Sequence, residues 1–405
     1  MSDPPAWPSM SGQQWQLRVR DAQLVNDRWA FPESSEEDDE QAQAWLASID
    51  PTAYVGARHH TVPRFLLARW ADKKGQVRAY HRIEGRHGVE NIRDLAVTDF
   101  YTVVDVDGSK NSTMESLMGY IEGRAKPHID AILNPFSRPI PLGIDAIMSL
   151  DQFAAFQSTR TARHRREIEL QAEWYAKTMA TGRVSDEELR NVTVAPHQNQ
   201  TIQVSSGAAQ NLMPLFICRP LAVIYLGSPL LYMCDEPVVL NVPSGQFHVE
   251  DCYLTDDEIE ARTERRMRKI KKRRRGRVKL PGRTVHFSST RPTGHGVADE
   301  ILLAISPSTA LLWGPLSAEP QGGPVERVTL KPEESTRFAA MANDAMCSQA
   351  LDWVITRIAD QAFEARKFPP TGPLMRVCDG INAASVAVNR APERLRPHRL
   401  WTPDE

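Results

Sequence analysis

IMSLDQFAAFQSTRTARHRREI, residues 147–168, is the stretch on which the reading of the fold turns. At 100° per residue, Ile147, Leu150, Phe153 and Ala154 share one helix face centred near Leu150. The same face continues through Gln157, Thr161, His164 and Ile168, with Arg160 beside them. Polar side chains therefore replace apolar ones where the helix should still face protein. A buried polar group left without a partner costs roughly 1–3 kcal/mol, more for a charge, so each needs a hydrogen bond or a counter-charge. Two explanations stand side by side. One is a structural network that fixes neighbouring segments; the other is the wall of a binding or catalytic cleft. Arg160, Arg163, Arg165 and Arg166 add local positive charge, which on the second explanation favours an anion such as phosphate or carboxylate.

Outward from this stretch, the spacing predicts one long helix over residues 144–179. Upstream, Ser112-Thr113-Met114-Glu115 is a capping-box pattern opening a helix through Ile132, with Leu117, Tyr120, Ile121 and Ile129 on its apolar face and Pro127 kinking its last turns. Pro63 suits the first turn of a short helix carrying Phe65, Leu66, Arg69 and Trp70. Residues 76–83 alternate as a strand ending at a Glu84-Gly85 turn, and residues 99–106 form a second strand closed by Asp107-Gly108. Downstream, residues 181–210 are polar. Residues 221–226 and 230–234 flank Gly227-Ser228-Pro229 as a hairpin-like pair of buried strands. An apolar run covers 301–312 and a last patterned helix covers 332–363. The expectation is an α+β fold, a mainly helical body with a small antiparallel sheet.

The chain has 405 residues, 41% of them hydrophobic, with 49 Lys+Arg against 51 Asp+Glu and five cysteines. No apolar run approaches a membrane span, and the first residues lack a basic-then-apolar signal pattern. Scattered cysteines with no Cys-x-x-Cys pair argue against a disulfide framework or zinc knuckle and fit a reducing cytoplasm. The near-neutral total hides an asymmetry. Residues 262–283 hold thirteen basic residues and one acid, Glu264, which leaves 36 basic against 50 acidic residues elsewhere. Residues 33–40 carry six acids in eight positions. The organisation expected is an acidic, partly disordered tail (1–53), a single domain (54–365) interrupted by a basic insertion (255–283), and a C-terminal extension (366–405).

His59 and His60 are adjacent, so on extended backbone they point to opposite sides; one is a candidate ligand or general base, or a simple helix cap. Asp235, at the end of an apolar strand, is placed either for metal or acid–base chemistry or for a turn. Glu115 and Glu122 lie two turns apart on one helix face, too far to share an ion. Glu115 is then the capping carboxylate, and Glu122 the better partner for Arg160 or a metal. No His-Glu-x-x-His, P-loop, nucleophile elbow or dinucleotide fingerprint occurs. In the basic segment Arg265, Arg268, Lys269, Lys272, Arg273, Arg274 and Arg275 are the candidate contacts to nucleic acid or another polyanion, against a plain solvated loop. Positive charge on every face argues against a membrane helix, and no aromatic residues interleave.

Several of these residues carry a resemblance. His59-His60-Thr61-Val62-Pro63-Arg64-Phe65-Leu66, Asp99-Phe100-Tyr101, Glu115 with Ile121-Glu122, residues 156–161 (Phe-Gln-Ser-Thr-Arg-Thr), Cys234-Asp235-Glu236-Pro237-Val238 and Ile305-Ser306-Pro307 follow one another as in a bacterial family catalogued as domain of unknown function 4238. The similarity runs from about Tyr54 to Ala362. Where Thr61 stands the family usually has an aromatic residue, and where Ala162 stands it has proline. The resemblance implies a soluble bacterial protein and carries no established reaction. Two functions follow from the residues. In the first, a metal-assisted phosphodiesterase or nuclease, His59, His60, Gln157, Arg160 and Asp235 converge on one cleft, with Glu122 and Asp235 holding a divalent ion. In the second, a non-catalytic binding protein or scaffold, the polar cluster is structural and the basic segment engages nucleic acid or an acidic partner.

Overall fold

The computed structural model describes residues 51–55, 58–98, 101–104, 106–134, 142–180, 184–241, 283–289, 294–296, 298–317, 325–369, 374–381 and 387–390, with scattered positions between 22 and 50. The first half runs β1 (His59–His60), α1 (Arg64–Leu67), β2 (Gln76–His81), β3 (Arg86–Asn91), β4 (Val97–Thr98), β5 (Val103–Val104), β6 (Lys110–Asn111) and α2 (Thr113–Leu133). Helices then dominate: α3 (Ile144–Thr159), α4 (Ala162–Ala180), α5 (Asp186–Asn191) and α6 (Gln198–Ile217). The second half returns to strands: β7 (Leu221–Tyr225), β8 (Met233–Cys234), β9 (Val238–Asn241), β10 (Arg283–Ser289), β11 (Glu300–Ser306), β12 (Thr309–Trp313) and β13 (Glu326–Thr329). It closes with α7 (Pro332–Gln349), β14 (Trp353–Thr356), β15 (Met375–Ile381) and β16 (Ala387–Arg390).

The class is α+β, but the expected mainly helical body with one small antiparallel sheet is overturned. A five-stranded sheet, β13-β7-β12-β11-β9, and a four-stranded sheet, β3-β2-β14-β8, form much of the body. The larger sheet is mixed, because β13 pairs parallel with β7 while its other pairs are antiparallel. A three-stranded sheet, β10-β15-β16, and the ribbons β1-β4 and β5-β6 complete the set. One contiguous apolar core runs through both large sheets and the helices. Ile301 through Ser306 are all buried, so β11 is covered on both faces and reads as continuous apolar sequence rather than alternation. Among the described residues no helix is long and apolar enough to cross a membrane.

Three further expectations are corrected, and one apolar run is resolved into elements. Residues 221–234 are not a hairpin: β7 and β8 belong to different sheets. Leu226 N–H and Leu231 N–H donate to Ser308 and Pro307 carbonyls at 2.8 Å each, so the connection passes over the β11–β12 turn from one sheet to the other. The apolar run 301–312 is two strands folded back at that turn. The helix expected over 332–363 stops at Gln349, and Trp353–Thr356 instead becomes an inner strand between β2 and β8. Finally, the single helix over 144–179 breaks between Thr159 and Ala162.

Helix α3 lies against α2, α6 and the larger sheet. Asp151 is 2% exposed and accepts a 2.7 Å hydrogen bond from Trp313 Nε1 of β12. Burial pushes its carboxyl up to about 7, with the indole N–H pulling in the other direction. The folded protein therefore holds this proton where an unfolded chain, titrating near 3.8, has released it. Stability declines as pH rises from about 4 to 7, and the full penalty, roughly 3–5 kcal/mol, applies above that window. Asp151→Asn keeps an acceptor for the indole and removes the charge. Urea unfolding at pH 5 and pH 8 should show the variant gaining stability at pH 8 with a flatter pH profile; an unchanged slope would refute this account.

Candidate functional site: the junction at Arg160

The break in the long helix exposes four terminal carbonyls and four terminal N–H groups that need partners. Arg160 ends α3 in a non-helical conformation, and its carbonyl accepts from the Tyr101 hydroxyl at 2.8 Å. Thr161 opens α4, its hydroxyl oxygen accepting from His164 N–H at 3.2 Å. Glu236 Oε1 accepts from Arg163 N–H at 3.2 Å. Ala162 is the first residue of α4, the position where proline is favoured.

The last turn of α3 clamps β1 through its main chain. Gln157 Nε2 donates to the Thr61 carbonyl at 2.8 Å, and one Arg160 terminal nitrogen donates to the His60 carbonyl. The other donates to Glu122 Oε1 of α2 at 2.6 Å. The guanidinium also lies over the Tyr101 ring, 5.9 Å from its centroid. The rung formed by Gln157 and Arg160 thus meets the carbonyls of Thr61 and His60, and neither imidazole takes part.

His59 is fully buried. Its Nδ1 accepts from Tyr101 N–H at 3.1 Å and its Nε2 sits 3.4 Å from the Tyr54 carbonyl, which assigns the neutral tautomer with the proton on Nε2. His60, on the opposite side of β1, has its pKa lowered by burial first and by the Arg64 charge second. Thr61 completes the brace, its N–H donating to Ala96 O at 2.8 Å. Ala96 has φ 60°, the one positive value at a described non-glycine residue, so the turn feeding β4 to β1 holds local strain.

Glu115 is not the expected capping carboxylate. Ser112 makes no side-chain cap; its hydroxyl donates to Pro51 O and accepts from Tyr54 N–H, both at 3.0 Å. Burial raises the Glu115 pKa, while the Arg160 charge opposes the rise. Its Oε2 is buried and has no hydrogen-bond partner among the described residues. Nearby, Tyr101, Phe156, Arg160 and Ile202 line a void of ≈10 Å³, about the space of one water.

Asp235 stands apart from this cluster. Both of its oxygens accept main-chain N–H groups, from Leu351 at 3.0 Å and Asp352 at 2.7 Å, closing the turn into β14. Burial pushes its carboxyl well up, with Glu236 and Asp352 adding to the effect. The arginines of α4 are also engaged: Arg163 with Glu167 and the Gln349 carbonyl, Arg165 with the Thr98 hydroxyl, and Arg166 with Glu169. Among the described residues no group of three or more His, Cys, Asp or Glu is placed to hold a metal ion. The candidates Arg265, Arg268, Lys269, Lys272, Arg273, Arg274 and Arg275 lie outside the described residues. Two hubs escaped the sequence reading. Tyr101 was quoted as a motif residue but given no role. Gln349, at the end of α7, donates to Glu236 and Val238 carbonyls at 3.2 and 2.6 Å.

A family model matches residues 58–360, which include this junction. The chain belongs to the family described as protein of unknown function (DUF4238). No curated protein and no solved structure matches it. Within the matched residues the chain is tied at two places here: β1 with Tyr101 and the end of α3, and Glu236 with the start of α4.

Arg160→Met strands Glu122 and the His60 carbonyl together, so it should lower unfolding free energy by roughly 3–5 kcal/mol. Arg160→Met combined with Glu122→Leu should recover part of that loss, giving a coupling energy of about 1–3 kcal/mol in a denaturant-based double-mutant cycle. Additive losses would show that the pair is not coupled.

Proposed function

We propose that this chain is a non-catalytic binding protein, in which the Arg160 cluster braces the fold and residues 262–283 engage nucleic acid or another polyanion. The observation that supports the bracing role is where the donors go: Gln157 and Arg160 reach main-chain carbonyls, and both His59 ring nitrogens are occupied by main-chain groups. The proposed polyanion contact rests on thirteen basic residues against one acid in residues 262–283. That stretch belongs to the connection leaving the edge strand β9 at Asn241, which reaches the next described strand at Arg283. Cations gathered there would release counterions from a phosphate backbone. With about six phosphates contacted, affinity for a duplex or single-stranded oligonucleotide should fall on the order of a thousandfold between 50 and 200 mM salt. Fluorescence anisotropy on the full chain and on a chain lacking residues 262–283 tests this. Equal affinity in the two proteins would end the polyanion reading.

A second reading, a metal-assisted phosphodiesterase or nuclease, is favoured by one observation. The Glu115 side chain is half-buried, has its pKa raised, and lies within electrostatic reach of His59, Arg160 and Glu122. A carboxyl whose pKa is raised in this way is suited to general acid–base work. On this reading, magnesium- or manganese-dependent cleavage of DNA or RNA by the wild type should disappear in Glu115→Gln while the fold is retained. Absence of cleavage by the wild type across that panel would remove it.

A further inference from the structure

Away from the junction, a groove of ≈390 Å³ opens between α7, the 229–232 segment and the turn that follows β14. Its volume falls within the range of small-ligand sites. Both walls are held by hydrogen bonds and ring packing of the protein itself. Asn343 spends its amide on the opposite wall, accepting from Tyr232 N–H at 2.9 Å and donating to Leu230 O at 2.8 Å. Trp70 Nε1 donates to Leu231 O at 2.8 Å from behind. The other wall is turned by Asp360 N–H donating to Arg357 O at 3.0 Å, and it packs through Phe363, whose ring meets Tyr232 edge-on at 5.1 Å.

The groove carries one cation and one anion that the protein does not use on each other. Arg357 lines it, and its guanidinium makes no hydrogen bond or ion pair with a described residue. Asp360 lines it too; one carboxylate oxygen accepts from the Thr356 hydroxyl at 3.1 Å, and the other has no partner among the described residues. The two residues stand on one turn, outside ion-pair distance of each other, with Ala339, Ala340 and Leu230 forming apolar wall beside them. A ligand satisfying both charges carries a carboxylate and an ammonium close together, with an apolar remainder.

We propose that this groove binds a zwitterionic α-amino acid with an apolar side chain. Arg357 takes the carboxylate, Asp360 takes the ammonium, and the side chain lies along the alanines of α7. Neither residue belongs to the Arg160 cluster or the basic segment, so the proposal stands apart from the polyanion reading.

Calorimetric titration of the full chain tests it with L-leucine, L-valine and L-phenylalanine, and with two leucine fragments, 4-methylpentanoate (no ammonium) and isoamylamine (no carboxylate). At least one amino acid should bind. Each fragment should bind about tenfold or more weakly than leucine, the loss of one charge-assisted hydrogen bond. Arg357→Ala should abolish amino-acid binding, and Asp360→Asn should bring leucine and 4-methylpentanoate to nearly equal affinity, with circular dichroism confirming both folds. Failure of all three amino acids to bind overturns the proposal. So does a fragment that binds as tightly as leucine, or an Arg357→Ala protein that binds leucine as well as the wild type.

Discussion

The backbone groups freed where α3 stops and α4 starts are the constraint around which this fold is arranged. A helix that continued through Arg160 and Thr161 would satisfy its own backbone. Because it stops, the free groups must be answered by other parts of the chain. Tyr101 answers the Arg160 carbonyl and Glu236 answers the Arg163 N–H, from segments far apart in sequence. Those two residues bring β1 and the smaller sheet to the same place. The break is therefore what joins the N-terminal ribbon, the helices and the strand–helix unit around β14.

Charge in the interior follows from the same geometry. Arg160, Arg163, Arg165 and Arg166 are all at most 7% exposed. Burying such groups is costly, and replacing paired charges with packed apolar groups is often neutral or stabilising. Their retention here is better understood as directional. Guanidinium groups reach several acceptors at once in a fixed fork, as Arg160 does with Glu122 and the His60 carbonyl, which apolar packing cannot do. Arg219 does the same at the end of α6, donating to the carbonyls of Leu215, Gly314, His295 and Ala298. Arg82 holds the carbonyls of Cys347, Ala350 and Pro369.

What could be read from the sequence was local. The helix from Thr113 and the strand from Gln76 declare themselves by period and by punctuation at Ser112 and at Glu84-Gly85, and the family resemblance follows from ordered motifs. What could not be read was non-local. Apolar period alone does not separate Trp353–Thr356 from the end of an amphipathic helix, since its strand partners lie on β2 and β8. The hairpin expected at 221–234 fails because Gly227-Ser228-Pro229 marks a bend without saying which sheet receives the next strand. At the candidate site, the stripe from Gln157 to Arg160 correctly signalled buried polar groups needing partners. It could not signal that those partners would be carbonyls. Arg357 and Asp360 were hidden inside a helix that the structure ends at Gln349.

The pairing of β2 with β14 has a bearing on how the chain is made. His81 meets Trp353 across that ladder, a separation of roughly 270 residues. At about 5–20 residues per second, a ribosome needs on the order of 15–50 s to deliver the second partner after the first. Throughout that interval one edge of the early hairpin, with Val77 and Ala79 destined for the core, lacks its neighbour. The nascent protein thus spends its synthesis with an open sheet edge, the kind of surface that invites chaperones and mispairing alike.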